Sequence, residues 1–197
     1  MRPQSWCVAC LALLRHLCFA QVSAARRLIV MSLSSRLAGV TEKQLVESST
    51  LFLKSRQLND EDCAAIAPHL AKNRSLRQLY IGYNAFGDEG ARSLCEALAQ
   101  ASADAGQRLE LVGLRRCRLG DGAAEAVAEL LRKSPSLVEV GVDENEIGDT
   151  GAAALAAALP EAAALQRLYI GENAVTAEGR AKLDAAAPAR VSVRWSR

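Results

Sequence analysis

The sequence predicts an α/β solenoid of five stacked units, each about 28 residues long, with parallel strands on a concave face, helices on a convex one and a right-handed horseshoe curve. Three observations carry this. A pattern anchored on Asn84 recurs at Arg56, Cys117, Asn145 and Asn173, at separations of 28, 33, 28 and 28 residues. Ahead of each anchor apolar residues alternate over a strand's length, and behind it they return at helical spacing. The chain has only three Phe, two Trp, three Tyr and two Met in 197 residues, so its core must come from Leu, Val, Ile and Ala. Such residues suit thin repeated layers better than one thick centre.

Residues 1–40 read as a leader. Residues 1–41 hold five arginines (Arg2, Arg15, Arg26, Arg27 and Arg36) and no acid. Two targeting readings compete with an untargeted start. An Arg-bearing, acid-free segment suits an organelle transit peptide, whereas Arg2, the apolar run Trp6 to Leu14 and the small-residue site Val22-Ser23-Ala24 suit a secretory signal, which Arg15 and His16 interrupt. The uncharged stretch Pro3 to Leu14 is shorter than the roughly 18 apolar residues of a bilayer-crossing helix, so no membrane span is expected. Residues 41–49 should form a capping helix, opened by a Thr41 to Gln44 capping box and running through Ser48.

The repeats occupy 50–187. Strand positions facing the core are Leu51, Leu79, Val112, Val140 and Leu168, followed two residues later by Leu53, Ile81, Leu114, Val142 and Ile170. The helical stripe runs through Leu58, Phe86, Leu119, Ile147 and Val175, then Ile66, Leu94, Val127, Leu155 and Leu183, and closes on Leu70, Leu98, Leu131 and Leu159. An anchor Asn both donates and accepts, so stacked copies should form a hydrogen-bonded ladder that Arg56 breaks. Gly87, Gly120 and Gly148, with Asn59 in the first unit, are expected at positive φ. Asp60, Asp88, Asp121 and Asp149 come next, placed to receive the unpaired N–H groups that open each helix. The long interval is explained by Ala101 to Gln107, read as an inserted loop. At 188–197, Val191, Val193 and Trp195 alternate as a last strand capping the array, which reads as a complete small solenoid.

On these residues the chain resembles the ribonuclease-inhibitor subtype of leucine-rich repeat, whose pattern LxxLxLxxNxLxDxGxxxLxxxL is best displayed by Leu76 to Leu98. Similar repeats occur in ribonuclease inhibitors, in the sensor regions of NOD-like receptors and in the Ran GTPase-activating protein. The resemblance implies a non-catalytic protein-protein interaction scaffold. Regulation or activation of a Ras-like small GTPase is the alternative it raises, although the Ran activator has more repeats and an acidic tail, whereas this chain ends in Arg190, Arg194 and Arg197. Ribonuclease inhibition is a lesser one, because those inhibitors present an abundantly acidic face.

Charge and chemistry narrow the field. The net charge of +2 leaves −3 beyond the leader, so nothing marks the body as nucleic-acid binding. No Gly-Lys-Ser or Gly-Lys-Thr phosphate loop is present. His16 lies in the leader and His69 on a helix, so no catalytic set is expected. Cys7, Cys10, His16 and Cys18 have ligand-like spacing but lie in an apolar leader, while Cys63 and Cys95 align with alanines of other repeats and read as small buried residues. No cofactor, metal or enzyme activity is expected. Cysteine usage points to a reducing compartment, hence a cytoplasmic monomer, with a mitochondrion or plastid as the alternative and secretion less favoured.

Residues six, four, two and one before each anchor should point into the concave face. Those expected to meet a partner are Phe52, Lys54, Gln78, Tyr80, Tyr83, Arg115, Arg116, Glu139, Asp143, Glu144, Arg167, Tyr169 and Glu172. Aromatic residues are favoured interface anchors, and Phe52 and Tyr80 can also stack across neighbouring strands. Arg115 and Arg116 should neutralise Asp143 and Glu144 one strand away, each exposed pair contributing at most about 1 kcal/mol. Five strands about 4.8 Å apart, read over four residues of about 3.3 Å, present roughly 300 Å². A standard interface uses about 800 Å² per partner, so a partner must also grip the loops after the strands.

Overall fold

The computed structural model describes residues 36–105 and 108–195. The expected leader lies outside the described residues up to position 35, with Cys7, Cys10, His16 and Cys18. The repeat array lies within the unit Gly39–Arg197. In chain order its elements are α1 (Glu42–Glu47), β1 (Thr50–Phe52), α2 (Asp60–Lys72), β2 (Gln78–Tyr80), α3 (Asp88–Ala105), β3 (Leu111–Gly113), α4 (Asp121–Lys133), β4 (Glu139–Gly141), α5 (Asp149–Ala158), β5 (Arg167–Tyr169), α6 (Ala177–Ala186) and β6 (Ser192–Arg194). The strands form one open parallel sheet in sequence order, with equivalent residues paired: Leu51 with Leu79, Val112, Val140, Leu168 and finally Val193.

Each strand is only three residues long, yet its ladder continues past it, as in Leu53 N–H to Tyr80 C=O at 2.7 Å and Tyr83 N–H to Arg115 C=O at 2.7 Å. The apolar columns predicted from the repeat are all buried, forming one continuous layer between sheet and helices. Substantial helix packing is between sequence neighbours, from α1 on α2 through α5 on α6. At the start, Thr41 and Gln44 form a capping box on α1, and Leu45 is buried. Asn73 is fully buried and ties this end together, donating to the Leu45 and Ser48 carbonyls at 2.9 Å and accepting from the Ser75 and Leu76 amides at 2.8 Å. At the other end Trp195 donates to Asp184 at 2.9 Å and lies under the Arg180 guanidinium. Among the described residues no helix is long and apolar enough to cross a membrane.

Four local expectations are corrected. The glycines after the anchors are not left-handed: Gly120 (φ −98°) and Gly148 (φ −97°) are extended N-caps, as is Asn59 (φ −109°). Left-handed backbone falls instead on the residue before each anchor, Ser55, Tyr83, Arg116, Glu144 and Glu172, with φ between 54° and 59°, and in the first and third repeats also on the residue after it, Gln57 and Arg118. The aspartates opening the helices serve the next repeat rather than their own. Asp60 accepts from Gly87 and Gly90, Asp88 from Gly120, Asp121 from Gly148 and Gly151, and Asp149 from Thr176, at 2.6 to 2.9 Å. Arg56 does not break the ladder, because each anchor side chain bonds the backbone of the preceding unit and Arg56 has only to offer its N–H, which Asn84 accepts at 2.9 Å. Finally, the insertion begins as helix: Ala-rich sequence carries α3 to Ala105, making it 18 residues against 13 in α2 and α4.

Candidate binding face

Strand alternation turns the middle residue of β1 to β5 into the core and leaves its neighbours on the open face of the sheet, opposite the helices. The parallel register lines these residues up in rows across the repeats. One row reads Phe52, Tyr80, Gly113, Gly141, Tyr169. Phe52 is 64% exposed and its ring lies flat on Tyr80, 5.0 Å between centroids at 4°. Lys54 sits 4.9 Å from the Tyr80 centroid, within cation–π range. Between Tyr80 and Tyr169 the two glycines leave a depression of about 110 Å³, bounded also by Leu111, Arg115 and Asp143. A Cβ on Gly141 would meet nothing within 4 Å, so open space stands above β4.

The left-handed residues form the next row. A non-glycine residue there costs about 1 kcal/mol or more, and the cost is offset by the ladder bonds that its N–H continues. Tyr83, 38% exposed, lies 5.7 Å from the Arg115 guanidinium and 6.0 Å from that of Arg116. Arg115 also bonds Glu144 and stands 3.5 Å from Asp143, while Arg116 reaches Glu144 at 3.9 Å. The expected pairing between the third and fourth repeats is therefore present. One expectation is corrected: Asp143 stands at an outward position but is covered, 7% exposed beside Arg115. Glu139 is held by Arg167 at 2.6 Å, Gln78 and Tyr169 are half-buried on the face, and Glu172 is exposed at its end.

Sequence reasoning missed Arg194, which β6 adds beside Tyr169 and Glu172 along a groove of about 500 Å³. The alternation of Val191, Val193 and Trp195, which sets Arg194 on the opposite face, was its signal. Among the described residues no group of three metal-ligating side chains is assembled. Cys63, Cys95 and Cys117 are free and buried. Burial pushes the Cys95 thiol up to about 12 and that of Cys117 up to about 11, so neither is a ready nucleophile. His69 is half-buried, its Nδ1 3.5 Å from Glu42, away from the sheet face.

A family model described as Leucine Rich repeat matches residues 72–95 and 133–156. The mouse (Mus musculus) protein "NACHT, LRR and PYD domains-containing protein 12" is 34% identical over 96 residues, 49% of this chain and 9% of that protein. The pig (Sus scrofa) ribonuclease inhibitor is 33% identical over 95 residues, 48% of this chain and 20% of the inhibitor. The chain thus spans a fifth or less of the length of these curated relatives. Among solved structures, the Caenorhabditis elegans tropomodulin C-terminal domain has a TM-score of 0.54 at 20% identity, covering 80% of this chain and 90% of that one. The leiomodin-1 actin-binding site 2 structure has a TM-score of 0.58 at 13% identity, covering 74% and 84%. At such identities the likeness is one of fold. The units are leucine-rich repeats, similar to those of the ribonuclease inhibitor and of the NACHT, LRR and PYD domains-containing proteins.

Proposed function

We propose that this chain is a non-catalytic scaffold that binds another protein through the open face of its sheet and the turns after the strands. Leucine-rich repeats are typical of protein-interaction scaffolds, and the related proteins are generally non-catalytic. The observation that carries the reading is the exposed Phe52 ring, stacked on Tyr80. The stack stiffens the sheet, yet its outer surface is left to water, and a rigid aromatic is a low-entropy anchor. Tyr83 extends the surface into the turns, where the contact gains the area that the strands lack.

The test is affinity capture by the full chain against a Phe52→Ala, Tyr83→Ala, Arg116→Ala variant. All three side chains are exposed, so circular dichroism should report an unchanged fold. The variant should lose the proteins that wild type captures. Retention of the same set in the same amounts would remove the open face from consideration.

A further inference from the structure

The open face is divided by charge. From six residues before each anchor to one after it, the first three repeats contain no acid and five cations: Lys54, Arg56, Arg115, Arg116 and Arg118. In the same window the fourth repeat contains no cation and four acids, Glu139, Asp143, Glu144 and Glu146. The fifth is balanced by Arg167 and Glu172, and β6 brings Arg194 beside Glu172. The change of sign falls between β3 and β4, where Arg115 and Arg116 meet Asp143 and Glu144. Much of the charge at that seam is satisfied internally. At the seam Arg118 and Glu146 line one groove with Arg116 and Glu144, and away from it Lys54 on one side and Glu172 on the other are exposed; among the described residues none of Lys54, Arg118, Glu146 and Glu172 forms an ion pair.

We infer that the face docks one protein segment of opposed charge, its acidic and apolar end over β1 to β3 and its basic end over β4 and β5. This rests on the open-face reading above and adds to it the chemistry of the partner. Phe52, beside Lys54 on the cationic half, asks for an apolar residue next to the acid. Complementary fields align such a segment in one direction and oppose the reversed one, because like charges would then face each other at both ends. From β1 to β5 is four strand spacings, about 19 Å, which a helix of about 13 residues or a fully extended segment of about six would cover.

The probes are a short peptide of glutamate and leucine, a short peptide of lysine and glycine, and the two joined by a glycine-serine linker, each titrated at low salt into the isotope-labelled full chain. The acidic peptide should shift the amide signals around Lys54, and the basic peptide those around Glu172. The joined peptide should bind at least about tenfold more tightly than either half, through effective concentration. Lys54→Glu with Arg118→Glu should abolish the acidic peptide's shifts while leaving those of the basic one. Shifts from both peptides in the same region, no shifts from either, or no gain on joining would each overturn the inference. Such results would leave the open-face reading intact if the Phe52, Tyr83, Arg116 variant still loses capture.

Discussion

The anchor side chains show how one residue type holds a solenoid together. Asn145 accepts from the Cys117 and Leu119 amides at 2.8 and 3.2 Å and donates to the Leu114, Val142 and Asp143 carbonyls, joining two repeats through one amide. Asn145→Ala should cost about 2 kcal/mol in urea denaturation, because the turn's groups lose their partner where water reaches only in part. Cys117 is the weak rung, its sulfur 3.7 Å from the Ile81 carbonyl and 3.5 Å from that of Arg115. An amide of similar size offers both a donor and an acceptor there, so Cys117→Asn should stabilise by about 1 kcal/mol, and a lower urea midpoint would contradict this. Asp149 predicts a pH effect. Hydrogen bonds from the Thr176 hydroxyl and amide hold its carboxyl below the usual value of 3.8. A depressed folded pKa contributes stability that is complete above 3.8 and is lost as pH falls through the folded value. The gap in urea midpoint between wild type and Asp149→Ala should therefore be constant near neutrality and close below that pH; a constant gap down to strong acid would show that the ionised form is not what matters.

At the scale of the element, the aspartate that opens one helix sets what the next may contain. A Cβ added to Gly151 would lie 2.7 Å from the Asp121 Oδ1, 2.8 Å from the Ala124 Cβ and 2.8 Å from the Ile147 Cγ2. Gly90 meets Asp60 in the same way at 2.6 Å, and Gly179 lies against Asp149. Gly151→Ala should destabilise by about 1 to 3 kcal/mol despite the helix propensity of alanine, as measured by denaturation, because the Ala124 and Ile147 side chains are packed and cannot give way. A neutral result would mean that the carboxylate moves aside freely. The third repeat already tests this, since it carries Ala123 where three others have glycine, and Asp88 there makes one inter-repeat bond where Asp60 and Asp121 make two. These contacts mark the boundary of what the sequence discloses. Periodicity locates every strand and the buried columns, because burial repeats at a fixed chemical spacing. It does not disclose that Asp60 bonds forward to Gly87 rather than within its own helix, because both choices place a carboxylate at the same position. Nor does it separate Glu139, half-exposed, from Asp143, buried: both occupy outward positions, and the difference arises from Arg115 closing over the shorter side chain.

For the repeat array as a whole, the arrangement of contacts decides how damage spreads. The main packing links join α1 to α2, α2 to α3 and onward, and each strand pairs only with its neighbours, so information about a lost contact passes through every intervening layer. In such arrays stability is close to a sum of unit and interface contributions, and ends open separately from the middle. Asn73 is the place to test this, since its four hydrogen bonds join α1 to the first β-α unit and it is fully buried. Asn73→Ala leaves the Leu45 and Ser48 carbonyls and the Ser75 and Leu76 amides short of partners, a cost of about 1 to 3 kcal/mol for each group that water does not reach. The β1 edge of the sheet should then open more often while β5 and α6 keep their own contacts. Amide hydrogen exchange should accelerate through α1, β1 and α2, diminish across β2 and α3, and be unchanged in β5 and α6. Equal acceleration in all repeats would show that the array opens as one cooperative body, and strands β1 to β3 would then share the stability of the remainder instead of yielding first.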